Sequence, residues 1–406
     1  MLLASKQSRQ SVVLYAATLL GAALGFVASI VNTHYLCPLD YGDVRYVQNI
    51  IQLISWVLLF GYFLSGSRLL ALTEEEAKRR KIRGCLVLIL CVCSLLLLFS
   101  TCVAGFLHHE SLRKLFMLSL PVCFYPLLLN YMNTTPQGDN HIGRMAIARV
   151  LPALLYIPIA WLIYSTAGAT SALMILLQWG LYSIILIAVI ASTRPSFKDI
   201  RGILPVLRSE NRSYGIQLYY GSLAMVATNY LAGVMLGVFN DNNANVGYYT
   251  LALTLTTPLS YLPGIIGTVY FRSFTTQSFI PKDVLKKTLL LTVITCILFV
   301  LIVRPVVSWC YSPEYACVGR YACWLSIGFS IHGLGDMLNR YLASHGQGVS
   351  IRNSSFACGF IKILGFTLLV WLWDINGALL TNVAASTVYF LALLFYYIRF
   401  IKENRQ

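Results

Sequence analysis

Apolar blocks long enough to cross a bilayer as helices fill nearly the whole chain, and its basic residues gather in alternate gaps between them. A helix needs about 20 apolar residues to span roughly 30 Å of hydrocarbon, and twelve such blocks can be counted here. With 58% hydrophobic and 11% charged residues and a mean hydropathy of +0.71, the chain's solvent is lipid. The net charge of +15 would suggest nucleic acid if it formed a patch on a soluble domain. Spread over short connections between spans, it reports topology instead.

The expected spans run from Val12 to Tyr35, Tyr46 to Leu70, Cys85 to Leu107, Leu115 to Tyr131, Met145 to Tyr164 and Ser171 to Ser192. A second set runs from Gln217 to Phe239, Val246 to Phe271, Thr288 to Trp309, Ala322 to Tyr341, Ser354 to Trp373 and Ala378 to Phe400. Between the sets lies the longest connection, with Arg194, Lys198, Arg201, Arg208 and Arg212. The expected organisation is therefore an N-terminal six-helix lobe over 1–192, a basic cytoplasmic linker over 193–215 and a C-terminal six-helix lobe over 216–406. Lys and Arg near span ends stay on the cytoplasmic side. Lys78 to Arg83, the linker, Lys282 with Lys286 and Lys287, and Lys402 with Arg405 all fall on one side. Both termini, the first carrying Lys6 and Arg9, are then cytoplasmic, and so are the sequons at Asn133, Asn211 and Asn353, which makes them poor glycan acceptors.

Most of the eleven cysteines fall inside apolar runs, where Cys behaves as a small hydrophobe. None shows metal-ligand spacing. Cys310 and Cys317 flank one expected external loop at a spacing that permits a disulfide without requiring one. The two halves share landmarks in the same order. Asp40-Tyr41-Gly42 is matched by Asn245-Val246-Gly247-Tyr248, Leu129-Asn130 with Gln137-Gly138 by Leu338-Asn339 with Gln347-Gly348, and Gly168-Ala169 by Gly377-Ala378. Six spans per half return the chain to the same side, so the pattern argues for a parallel duplication.

No catalytic constellation is visible, and short loops leave little room for one outside the membrane. A membrane glycosyltransferase or polymerase would carry a larger external loop. The informative residues are ionisable groups inside spans, because a charge in hydrocarbon costs between about 2.5 and 17 kcal/mol depending on how it is estimated. Lys362 in span eleven and Arg149 in span five either face a cavity as fixed cations or snorkel to the headgroups. Arg68, after Ser65-Gly66-Ser67, either anchors the helix at the interface or grips a phosphate with two parallel hydrogen bonds. Asp336 and Arg340 stand i,i+4 in span ten, which favours a mutually neutralising pair; the alternative is a coupling-ion role for Asp336. Among the amides Asn32, Gln48, Asn49, Gln178 and Asn229, each needs a partner, which is either another helix or a ligand. Spans one, two and seven hold most of them and are the expected cavity walls.

The run Gly21 to Arg45, ending Leu36-Cys37-Pro38-Leu39-Asp40-Tyr41-Gly42, resembles the first-helix signature of polysaccharide export proteins of the O-antigen flippase (Wzx) type. Val246 to Ala252 and Gly335-Asp336-Met337-Leu338-Asn339-Arg340-Tyr341 with Gly346-Gln347-Gly348 are similar to further motifs of that family, which belongs to the multidrug/oligosaccharidyl-lipid/polysaccharide exporters. The resemblance implies an all-α polytopic protein with twelve transmembrane helices in two lobes around a central cavity. It implies no enzymatic turnover and no cofactor, with proton or sodium coupling left open. The implied substrate is an undecaprenyl-pyrophosphate-linked oligosaccharide repeat unit, flipped to the periplasmic leaflet of a bacterial inner membrane. Its implied binding residues are Arg68, Arg149, Lys362, Arg340, Asn32 and Asn49, and its partners are membrane lipids, with a polysaccharide polymerase and chain-length regulator as further candidates. Many relatives have an acidic residue in the seventh helix where this chain reads Asn229-Tyr230-Leu231, which puts coupling through that carboxylate in doubt. The runner-up is a multidrug exporter of the cation-coupled (MATE-like) kind. That reading calls for acidic residues in the cavity, and Asp336 is the one strong carboxylate within a span.

Overall fold

The computed structural model describes residues 6–139 and 141–403. The expected cytoplasmic ends, Met1 to Ala4 and Arg405 among them, lie outside the described residues, and side chains are described from Val13 onward except at Ala227 and Arg272. Every regular element among the described residues is helical. The chain divides into two compact units: one holds the chain up to Leu36 and from Val47 to Leu223, the other Cys37–Tyr46 and the chain from Ala224 onward.

In the first unit α1 (Lys6–Tyr35) is followed by the part of α2 (Pro38–Val57) from Val47 onward, then α3 (Tyr62–Leu72), α4 (Glu76–Phe106), α5 (Glu110–Ser119), α6 (Tyr125–Gly138), α7 (Ile142–Ala167), α8 (Ser171–Ser192), α9 (Ile200–Glu210) and α10 (Ile216–Ser222). The second apolar block is broken. Phe60 and Gly61 both take positive φ, and α2 meets α3 at 57°. The fourth block breaks near Pro121, and its halves meet at 44°, because proline has no N–H for the helix and its ring clashes with the preceding turn. The basic segment over 193–215 falls within the first unit and is helical over α9, with Ile203 and Leu207 buried and Arg201 and Arg208 exposed.

The second unit contains α11 (Thr228–Phe239), α12 (Ala244–Thr256), α13 (Pro258–Val269), α14 (Phe271–Phe274), α15 (Lys282–Cys310), α16 (Cys317–Ser344) and α17 (Gly348–Glu403). α17 covers the last two expected spans and reverses at Asp374, the one residue in it with φ +51°. The reversal depends on Gly377, whose added Cβ would lie 1.9 Å from the Leu369 carbonyl oxygen. Asp374 receives hydrogen bonds from Asn240 (2.7 Å) and Asn245.

Among the described residues, six helices are long and apolar enough to cross a membrane, and counting each bent pair as one span gives nine. Their outer faces carry large apolar side chains such as Leu95, Phe99, Leu301 and Trp309, as a lipid solvent requires. The protein is an all-α polytopic membrane protein.

Two of the matched landmarks meet in space. An added Cβ on Gly42 would lie 1.9 Å from the Asn243 carbonyl oxygen, and one on Gly247 would lie 3.2 Å from the Tyr41 ring and 3.3 Å from the Gly42 backbone. Asn243 donates to Asp43 at 2.7 Å, and Tyr41 and Tyr248 each set an edge against Tyr315. The first-helix signature thus works as a backbone-to-backbone packing device. Cys310 and Cys317 are both free thiols, so the disulfide that their spacing permits is not formed.

Candidate functional site

Lys362 sits near the middle of the helix between Gly348 and the Asp374 reversal, and it is 5% exposed. Its side chain does not run to the helix end. Nζ donates to Asn229 Oδ1 on α11 at 2.6 Å and to the Met225 carbonyl at 3.3 Å. Among the described residues no carboxylate comes within 4.0 Å of it, so its hydrogen-bond partners are uncharged oxygens.

The Met225 carbonyl is available because Leu223–Ala227, just before α11, winds as a π turn. A π turn displaces the local i→i−4 pattern and leaves carbonyls poorly matched to their own helix. α17 braces this turn at a second point. Gly359, one turn before Lys362, has no Cβ, and one placed there would lie 2.4 Å from the Ala224 carbonyl oxygen.

Lys362 and Asn229 line a cavity of about 230 Å³ together with His332, Tyr249, Asn382 and Ser386. Behind it His332 stacks on Tyr389, with ring centroids 4.5 Å apart and planes at 18°. The Tyr389 hydroxyl accepts from Asn339 at 2.8 Å and donates to Asp336 at 3.1 Å. The expected Asp336 to Arg340 pair is not formed: Arg340 is exposed, and no contact within 4.0 Å joins the two. Spacing of i,i+4 puts both residues on one helical face, but the carboxylate turns inward to Tyr389 while the long guanidinium stem runs outward.

The remaining expected residues lie in the first unit. Arg149 is half-buried on α7 and donates to the Thr18 hydroxyl on α1. Asn32, fully buried further along α1, accepts from the Tyr156 hydroxyl at 2.6 Å, and its Nδ2 finds no partner. Thr18 and Asn32 are about 21 Å apart along the helix axis, so Arg149 and Asn32 share a helix pair without sharing one pocket. Gln48 donates to Gln178 at 3.3 Å, which satisfies two of the amides between helices, and Asn49 is half-buried. Arg68 pairs with Glu210 at 2.7 Å and lies over the Tyr214 ring, with its side chain 46% exposed. The small run before it lets helices close in: Ser65 donates to Asn211 at 2.9 Å and Ser67 to the Thr134 carbonyl at 3.0 Å. Asn211, a sequon asparagine, is itself buried.

One charged cluster escaped the sequence reading. Arg83 is 2% exposed and grips Asp139 with two hydrogen bonds, Nε to Oδ2 at 2.6 Å and Nη2 to Oδ1 at 2.9 Å. Its Nη1 donates to Glu76 at 2.9 Å and to the Thr193 carbonyl at 2.8 Å. Arg79 joins Asp139 at 2.9 Å, and His141 lies 3.3 Å from it. Asp139, an acidic residue beside Gln137-Gly138 on the basic side of the chain, was the available signal.

Residues 8–277 match the polysaccharide biosynthesis protein family. The chain belongs to that family. No curated protein matches it by sequence. Among solved structures it is similar to the lipid II flippase MurJ in an inward closed conformation, with a TM-score of 0.76 and 13% identity over 95% of this chain and 87% of that one. It is also similar to an inward-facing multidrug resistance MATE transporter of the MOP superfamily, at TM-score 0.68 and 14% identity over 96% and 99% of the two chains. A third likeness is to a MOP superfamily transporter from Pyrococcus furiosus described as having a binding pocket of reversed polarity, at TM-score 0.52 and 14% identity over 95% and 96%. At these identities the likeness establishes the fold, which is that of the MOP transporters.

Proposed function

We propose that this protein moves undecaprenyl-pyrophosphate-linked oligosaccharide units of an O-antigen, capsule or similar glycan from the cytoplasmic to the periplasmic leaflet of a bacterial inner membrane. It does so by alternating access and without chemical turnover. Membership of the polysaccharide biosynthesis family and the transporter fold support this reading. The observation that carries it is Lys362, a cation buried on a cavity wall with no carboxylate beside it. A pyrophosphate cannot enter about 30 Å of hydrocarbon unaided, and fixed cations along its route lower that barrier. The same sign of charge disfavours a cavity for cationic drugs.

Twelve spans, two six-helix lobes over 1–192 and 216–406, and cytoplasmic termini are part of the proposal. So are binding roles for Arg68, Arg149, Arg340, Lys362, Asn32 and Asn49, and a coupling role for Asp336. Arg68 would take a phosphate by exchanging Glu210 for it, since a guanidinium fork fits either anion. The test is surface-glycan export in a strain whose own copy is replaced by the Lys362→Ala, Arg149→Ala variant. Export should fall at least tenfold at normal protein levels, and full export overturns the reading. Incubating purified protein with a lipid-linked oligosaccharide should leave its mass unchanged; a covalently altered product would make the protein a transferase or polymerase instead.

A further inference from the structure

Lys362 presents three donors on its ammonium, and the protein answers with one amide oxygen at 2.6 Å and one carbonyl oxygen at 3.3 Å. Dipoles of this kind only partly offset the cost of burying a full charge. We propose that the cavity beside Lys362 binds an anionic group, a sugar carboxylate or a phosphate, and that the bound anion takes the ammonium from the Met225 carbonyl and so releases the π turn at Leu223–Ala227.

Three features of the site carry this. The lining has no acidic side chain: Asn229, His332, Tyr249, Asn382 and Ser386 offer amides, a ring nitrogen and hydroxyls, so nothing in the wall repels an anion and several groups can donate to it. The nearby carboxylate, Asp336, accepts from the Tyr389 hydroxyl. The bond to Met225 is the longer of the two that Lys362 makes, so it is the one an arriving charge displaces first, while Asn229 keeps the side chain in place.

The π turn is then held by less. Its brace on α17 comprises the Lys362 hydrogen bond, the backbone contact at Gly359 and the Ser355 hydroxyl on the Met225 sulfur at 3.7 Å. Removing the first leaves the Met225 carbonyl to the Thr228 hydroxyl at 3.2 Å, in place of the backbone partner a regular helix would supply. Returning a π turn to α geometry rotates the chain on one side of it by about 100° per residue shifted. Occupancy of a small cavity thereby changes how the chain winds just before α11. A transporter needs such a link between a bound headgroup and helix movement. The inference rests on the flippase reading for the source of the anion, though the binding and the release do not depend on it.

The experiment uses the full-length protein in phosphatidylcholine nanodiscs, titrated calorimetrically with glucuronate, inorganic pyrophosphate and glucose. At least one of the two anions should bind tenfold or more tightly than glucose. The winner names the source: glucuronate an acidic sugar, pyrophosphate the carrier headgroup. Binding should weaken at least tenfold in Lys362→Met. It should weaken equally in Asn229→Asp, which gives the ammonium a carboxylate from within and keeps a folded comparison available. With anion bound, amide hydrogen exchange over 223–229 should rise severalfold. Equal binding of glucose and both anions, or anion binding that survives in both variants, overturns the site; bound anion with unchanged exchange overturns the release. Loss of lipid-linked oligosaccharide flipping with anion binding intact would count against the flippase reading alone.

Discussion

Arg83 and Lys362 are both cations buried to within a few per cent of full enclosure, and their surroundings treat them in opposite ways. Arg83 has a fork-on-fork carboxylate, a second carboxylate and a backbone carbonyl; Lys362 has two uncharged oxygens and a cavity. The first arrangement leaves the cation nothing to offer a ligand, and it ties α4 to the ends of α6 and α8. The second keeps capacity in reserve. A buried charge in a transporter therefore reads as structural or functional according to the partner it has, and burial alone does not decide.

Removing one partner of a buried pair leaves an uncompensated charge, a loss of about 3–5 kcal/mol. Asp139→Ala should therefore give the largest loss, seen as a lower unfolding midpoint in detergent and a poor yield of monodisperse protein. The Arg83→Leu, Asp139→Leu double variant should recover most of it. An Asp139→Ala protein as stable as the parent would show that the cluster is not what ties these helices. Next comes Gly42→Ala, whose new Cβ meets the Asn243 backbone; overpacking against backbone should cost about 1–3 kcal/mol, measured by the same unfolding assay. Lys362→Met should shift stability by no more than about 1 kcal/mol in either direction, because two net-modest hydrogen bonds are lost while a buried charge is relieved. A loss as large as that of Asp139→Ala would erase the contrast.

The smallest effect lies at His141. Burial pushes its pKa below the usual 6.5, with Asp139 opposing and Arg144, Arg83 and Arg79 reinforcing the shift. The unfolded chain then takes up the proton more readily, so this contribution to stability is complete above about pH 6.5 and is lost as pH falls below it and through the lower folded value. Unfolding midpoints between pH 5 and 8 should show that slope, and His141→Gln should flatten it.

The helical blocks were legible because hydropathy over 20 residues is a strong signal, and Lys362 was legible because a charge inside such a block stands out. Three things were not. The break at Phe60 and Gly61 depends on backbone angles to which hydropathy is blind. Arg83 looked like one of several topology-setting cations, because its partner Asp139 is brought to it only by tertiary packing. Asp336 and Arg340 had the spacing of a pair, but side-chain direction depends on Tyr389, fifty-three residues away along the chain from Asp336. Spacing along one helix locates a face, and neighbours on other helices decide what that face holds.

The most direct test of the account is flipping of a fluorescent undecaprenyl-pyrophosphate-linked oligosaccharide in proteoliposomes, with parent and Lys362→Met reconstituted at equal density. We expect the parent to expose the label to an external quencher at a protein-dependent rate, and the variant, though equally stable, to be at least tenfold slower. Equal rates for the two proteins would contradict the claim that an unpaired buried cation carries the function.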